Sequence, residues 1–133
     1  MTTGFGLSQI GQIAVGVQDL DSAVAFYRDV LGMQFLFQVP SMAFFDCGGV
    51  RLMLAEPDGG VEQRASSIIY YRVDDVNHAF ETLSKRRVDL VSDPHLVARM
   101  GDQELWMAFF EDIDGNVLGL MSEIPVKREM DNG

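Results

Sequence analysis

Residues 9–17 alternate in polarity, with Ile13, Val15 and Val17 on one side and Gln12, Ala14 and Gly16 on the other. A period of two predicts a half-buried strand. After Asp19 the period lengthens, and Leu20, Ala23, Val24, Tyr27, Val30 and Leu31 recur at helical spacing. Asp19 supplies an N-cap and Gly32 a stop, so one helix is predicted between them. Three strands follow at 34–39, 42–47 and 50–55, the last two joined by the hairpin signal Gly48-Gly49. Pro57-Asp58-Gly59-Gly60 opens a polar link over 57–66. The order then recurs: a strand at 67–73, a helix from the cap Asp75 to Arg87, and a weaker extended stretch at 90–99 holding Pro94 and His95. Strands at 104–111 and 116–122 close the series around the turn Asp114-Gly115, and the polar residues from Lys127 onward are expected to fray.

The recurrence extends to individual residues. Val17-Gln18-Asp19-Leu20 returns as Val73-Asp74-Asp75-Val76, 56 residues later, and Ala23, Val24 and Tyr27 return as Ala79, Phe80 and Leu83. Gly49-Val50-Arg51-Leu52-Met53-Leu54 has its counterpart in Gly115-Asn116-Val117-Leu118-Gly119-Leu120. The pattern predicts an α+β fold of two βαβββ modules at 9–56 and 67–124, within one domain spanning 1–133, with a link at 57–66 and a frayed tail at 125–133. Each helix should cover one face of a mostly antiparallel sheet. Repeated halves share a core, and a ligand is expected between them.

Composition narrows the function. At 133 residues, 47% hydrophobic and 10% aromatic, the chain can bury a core and is not disordered. No apolar run is long enough for a membrane span, and residues 1–8 lack the pattern of a signal peptide. Cys47 stands alone, without a flanking base or cation to activate it, which fits an inert thiol in a reducing cytoplasm. The formal charge of −10 would repel phosphate backbones, and the cluster Lys85-Arg86-Arg87 closes the second helix, where cations complement the dipole. Neither nucleic acid nor a membrane is expected as a partner.

Taken together, Ile10-Gly11-Gln12-Ile13-Ala14-Val15, the stretch from Asp19-Leu20 to Phe26-Tyr27 with Val30-Leu31-Gly32, and Phe110-Glu111-Asp112-Ile113-Asp114-Gly115-Asn116 carry a resemblance. In order and spacing the chain resembles the vicinal oxygen chelate superfamily, which includes glyoxalase I, the bleomycin resistance proteins and extradiol dioxygenases. The resemblance covers residues 9–124. It implies incompletely closed, cup-shaped sheets with helices on the outer face, and a homodimer. In the family's metal enzymes, strands one, four, five and eight each give one ligand on the concave face. Those positions fall here on Gln12, Met53, Ile68 and Gly119. Zn²⁺, Ni²⁺, Mn²⁺ and Fe²⁺ want imidazole or carboxylate at such sites, and only Gln12 offers even a neutral oxygen. No metal and no other cofactor is therefore expected. Glu56 and Glu123 are read as pointing to the opposite face, and His78 as lying on the second helix.

Alternation places Gln12, Arg51, Met53, Ile68, Tyr70, Arg72, Gly119 and Met121 on the cup wall, with Val117 beside them. The parity of Phe44, Phe45, Trp106, Phe109 and Phe110 stays open, and Trp106 is carried as a candidate that either binds a ligand or anchors packing. Arg51 and Arg72 either pair with acids at the sheet rim or grip an anion. His95 is a weaker candidate acid or base that could equally be surface. The resulting expectation is a metal-free protein holding a small amphiphilic or aromatic ligand. A metal-dependent lyase, isomerase or dioxygenase, and a non-catalytic dimeric interaction module, are the alternatives.

Overall fold

A computed structural model describes residues 5–57 and 67–126. The chain forms two units, 1–64 and 65–133. Most of the expected link at 57–66 and the tail from Lys127 lie outside the described residues.

The first unit holds β1 (Gln12–Gly16), α1 (Leu20–Ala25) with a π-helical continuation (Phe26–Val30), β2 (Gln34–Val39), β3 (Met42–Cys47) and β4 (Val50–Ala55). Its open sheet has the order β1-β4-β3-β2. β1 runs parallel to β4, with Gln12 opposite Arg51 and Ala14 opposite Met53, and the other pairs are antiparallel. Val15, Ala43, Phe45, Leu52 and Leu54 form the buried side, together with Leu20, Ala23, Val24, Phe26 and Tyr27 of the helix. The Tyr27 ring lies 6.2 Å from that of Phe45, which meets Phe35 edge-on at 5.5 Å. Burying each such side chain contributes about 1.5–3 kcal/mol.

The second unit repeats the plan: β5 (Ile69–Arg72), α2 (Val76–Lys85), β6 (Asp89–Met100), β7 (Gln103–Glu111) and β8 (Val117–Pro125), in the order β5-β8-β7-β6. Leu118, Leu120, Ala108 and Phe110 are buried on its helix side, with Val76 and Leu83 of α2. The two helices open alike. Asp19 accepts from the Ser22 amide, and Asp75 from the amides of Asn77 and His78. The two modules are thus βαβββ units with open mixed sheets, as the repeat predicts.

Three expectations need correction, and one, the extended stretch at 90–99, is sharpened. The first helix is not continuous α-helix to Gly32: it widens after Ala25, and the Leu31 amide reaches back five residues to the Phe26 carbonyl. The adjacent rings of Phe26 and Tyr27 are both buried in this wide turn. The weak stretch at 90–99 is part of a twelve-residue strand. It reads as irregular because three register shifts interrupt its pairing with β7, and Pro94 is tolerated because β6 is an edge. β8 continues to Pro125, which pairs with Gln103, so the tail does not begin there. β5 is short and leaves Ile68 just before it. Among the described residues, no helix is long and apolar enough to cross a membrane.

Candidate functional site

In each sheet one face carries the helix, and the candidate residues concern the other. In the first unit that face is set by the register of β1, β4 and β3. Gln12 stands opposite Arg51, Ala14 opposite Met53, and Met53 opposite Phe44. Phe44, Met53 and Ala55 form a buried cluster with Met42 against it. The Gln12 amide nitrogen reaches the Met53 sulfur at 3.8 Å, a weak contact for a strong donor. Phe37 stacks on Phe44 at 4.6 Å between centroids, and the Arg51 guanidinium lies 5.9 Å from the Phe44 ring centre. The structure thus brings together Gln12, Arg51 and Met53, and adds Phe44 and Phe37.

The second unit has the matching row Tyr70, Gly119, Phe109. Here the sizes are redistributed. Where the first unit has small Ala14 beside Met53, the second has large Tyr70 beside Gly119. A Cβ on Gly119 would stand 2.6 Å and 2.9 Å from Tyr70 Cδ2 and Cε2, and 3.3 Å from Phe109 Cε1. Tyr70 and Phe109 meet edge-on at 5.7 Å, and His95 lies 6.4 Å from Phe109. The His95 Nδ1 is 2.8 Å from the Asp93 carbonyl. His95 is therefore on β6, opposite Met107 in the ladder. Met121 pairs with both Arg72 and Met107 and shares this face.

Three site expectations fare differently. Trp106 pairs with Ser122 and has the parity of buried Ala108 and Phe110, so it stands on the helix side, with its indole N–H donating to Glu104 at 3.1 Å. Glu123 does not point away from the Gly119 face, because it ion-pairs with Arg72 at 3.3 Å. Ile68, 41% exposed, precedes β5 and is not held by its ladder. Glu56 is occupied at the helix start, accepting from the Leu20 amide at 2.8 Å. Phe45 and Phe110 belong to the helix sides, Phe44 and Phe109 to the faces under discussion. Phe109 went unassigned in the sequence, although the repeat that matches Met53 with Gly119 also matches their β3 and β7 neighbours.

The four positions that the resemblance assigns to a metal do not fit one. Met53 offers a thioether, Ile68 nothing, and the space at Gly119 that a longer side chain would enter is taken by the Tyr70 ring. Among the described residues, no three His, Cys, Asp or Glu side chains are grouped to hold an ion. Cys47 is also unsuited to act, since burial, and then the nearby Asp46 charge, push its thiol pKa up.

Comparison with known proteins agrees with the architecture. The methylmalonyl-CoA epimerase of mouse mitochondria is 27% identical over 117 residues, covering 76% of this chain and 66% of the relative, so the match spans slightly under two thirds of that protein. A metallothiol transferase of Staphylococcus haemolyticus is 27% identical over 116 residues, covering 84% of this chain and 81% of the relative. Among solved structures, a lactoylglutathione lyase from Agrobacterium tumefaciens superposes with a TM-score of 0.68 at 24% identity, covering 87% of this chain and 94% of that one. A virulence protein from Salmonella typhimurium reaches a TM-score of 0.72 at 17% identity, covering 89% and 98%. The family model described as Glyoxalase/Bleomycin resistance protein/Dioxygenase superfamily matches residues 9–120. With the repeat, the two open mixed sheets and this match in agreement, the chain belongs to the glyoxalase/bleomycin resistance protein/dioxygenase superfamily.

Proposed function

We propose that this protein binds a small amphiphilic or aromatic molecule on the helix-free faces of its sheets, without a resident divalent ion. The observation that carries the reading is the Tyr70 ring lying over Gly119. The eighth-strand position bears no side chain, and an aromatic ring fills the space beside it and meets Phe109. Such a surface suits a flat apolar body, which gains by area burial and ring contact. Tyr70 and His95 supply polar groups on this face, and Gln12 and Arg51 do so on the corresponding face of the first unit, the mixture that ligand sites usually show. Relatives named as an epimerase and a metallothiol transferase favour a catalytic alternative. The donor chemistry at Gln12, Met53, Ile68 and Gly119 weighs against a metal-dependent form of it.

Native mass spectrometry and elemental analysis of the purified protein, after incubation with Zn²⁺, Ni²⁺ or Mn²⁺ and dialysis without chelator, test this reading. Well below one ion per chain is expected, with or without a retained small molecule. Near-stoichiometric metal, together with an activity lost on chelation, would overturn it.

A further inference from the structure

The two arginines of the helix-free faces differ in what already holds them. Arg72 has an acidic partner, Glu123, at 3.3 Å. Arg51 has none among the described residues, although Asp46 stands opposite it in the β3–β4 register. Its guanidinium lies instead against Phe44, which is stacked on Phe37. A cation–π contact uses none of the guanidinium N–H donors, which remain available for a planar two-oxygen acceptor. Gln12, the register partner of Arg51 on β1, has a side-chain amide whose contact here is a sulfur at 3.8 Å. An exposed cation, a neighbouring amide donor and the half-exposed ring of Phe37 thus occupy one face of one unit.

We infer that the first unit's face binds the ligand's charged end, with Arg51, rather than Arg72 of the second unit, as the charge-selecting residue, and that it selects an aromatic carboxylate. The carboxylate takes the Arg51 fork, with Gln12 donating beside it, and the ring extends over the Phe44–Phe37 stack and Met53. This assignment rests on the ligand-binding reading above and adds the sign of the ligand's charge. The overall charge of −10 opposes it at long range. That field is screened at physiological salt beyond about 8 Å, whereas the bidentate contact acts at hydrogen-bond distance. Asp46 opposes it locally, which makes Asp46 a diagnostic position.

The test titrates the full chain with three naphthalenes of matched size: 2-naphthoate, 2-naphthamide and 2-naphthylmethylammonium. 2-Naphthoate should bind about tenfold or more tightly than either of the others. Arg51→Gln should remove that preference, and Arg51→Lys should recover only part of it, because a point charge lacks the fork. Arg72→Gln should change the naphthoate affinity less than about twofold, and Asp46→Asn should tighten it. Preference for the cationic compound, or a naphthoate affinity insensitive to Arg51→Gln, would overturn the assignment while leaving the ligand-binding reading in place. If none of the three binds, the ligand-binding reading itself falls, and this assignment with it.

Discussion

At the scale of single residues, the exchange of bulk between Tyr70 and Gly119 is the most consequential feature. Gly119→Ala should destabilise the protein by about 1–3 kcal/mol in urea denaturation, because the added methyl overlaps the Tyr70 ring and overpacked sites pay that much. In a Tyr70→Ala background the same substitution should cost less than about 0.5 kcal/mol, since contacting residues are not additive. Equal costs in the two backgrounds would show that the ring does not occupy this space. The sequence made part of this legible. The faces of Gln12, Arg51, Met53 and Gly119 follow from alternation, because turn residues pin β1, β4 and β8 and a one-residue slip would flip every side chain. Glu123 is misread as facing away, although an even four residues from Gly119 puts both on one face. Trp106 was not legible, because the parity of β7 needs a register with β8 that no local signal supplies. That Tyr70 folds over the glycine is a tertiary fact, since β5 and β8 are almost fifty residues apart in the chain.

At the scale of elements, both helices were readable from their caps, and the caps carry a pH dependence. The Asp19 carboxylate accepts hydrogen bonds from the Ser22 hydroxyl and amide, which hold its pKa below the ordinary 3.8. A pKa depressed in the folded state contributes stability that is fully present above the unfolded value. That contribution is lost as pH falls through the folded value. Asn caps a helix about as well as Asp and does not titrate, so Asp19→Asn should lose less stability between about pH 6 and about pH 3 than the parent does. Parallel curves of urea midpoint against pH would remove Asp19 from the acid response. What the elements hid was irregularity. Helical spacing continued through Phe26–Val30 although the backbone there is π-helical, because a π turn keeps apolar residues near the same face for only one cycle. Pro94 and three register shifts make β6 read only as a weak extended stretch, for the opposite reason: an edge strand can bulge, and the local pattern breaks where the pairing does.

At the scale of the whole molecule, exposed apolar surface and high net charge pull assembly in opposite directions. Phe5, Leu7 and Ile10, just before β1, are 93%, 92% and 65% exposed, and β1 is itself an edge of its sheet. The other unit's edge at β6 is blunted by Pro94 and its bulges, whereas β1 has no bulge in its pairing with β4. An unblunted edge beside three exposed apolar side chains is a surface that a second copy would cover. The expected assembly is a homodimer made through this segment, with a sedimenting mass about twice the 14.8 kDa of the chain. Because each copy carries −10, association by apolar contact must overcome like-charge repulsion that salt screens. The dimer should therefore tighten between about 20 mM and about 500 mM NaCl, whereas one held by ion pairs would loosen. Leu7→Lys with Ile10→Lys should shift the equilibrium toward monomer at every salt concentration, by placing charge in the apolar contact. Sedimentation velocity at about 10 μM decides it. A single 14.8 kDa species at both salt concentrations would rule out the dimer, and a dimer unaffected by the paired substitution would move the interface away from β1.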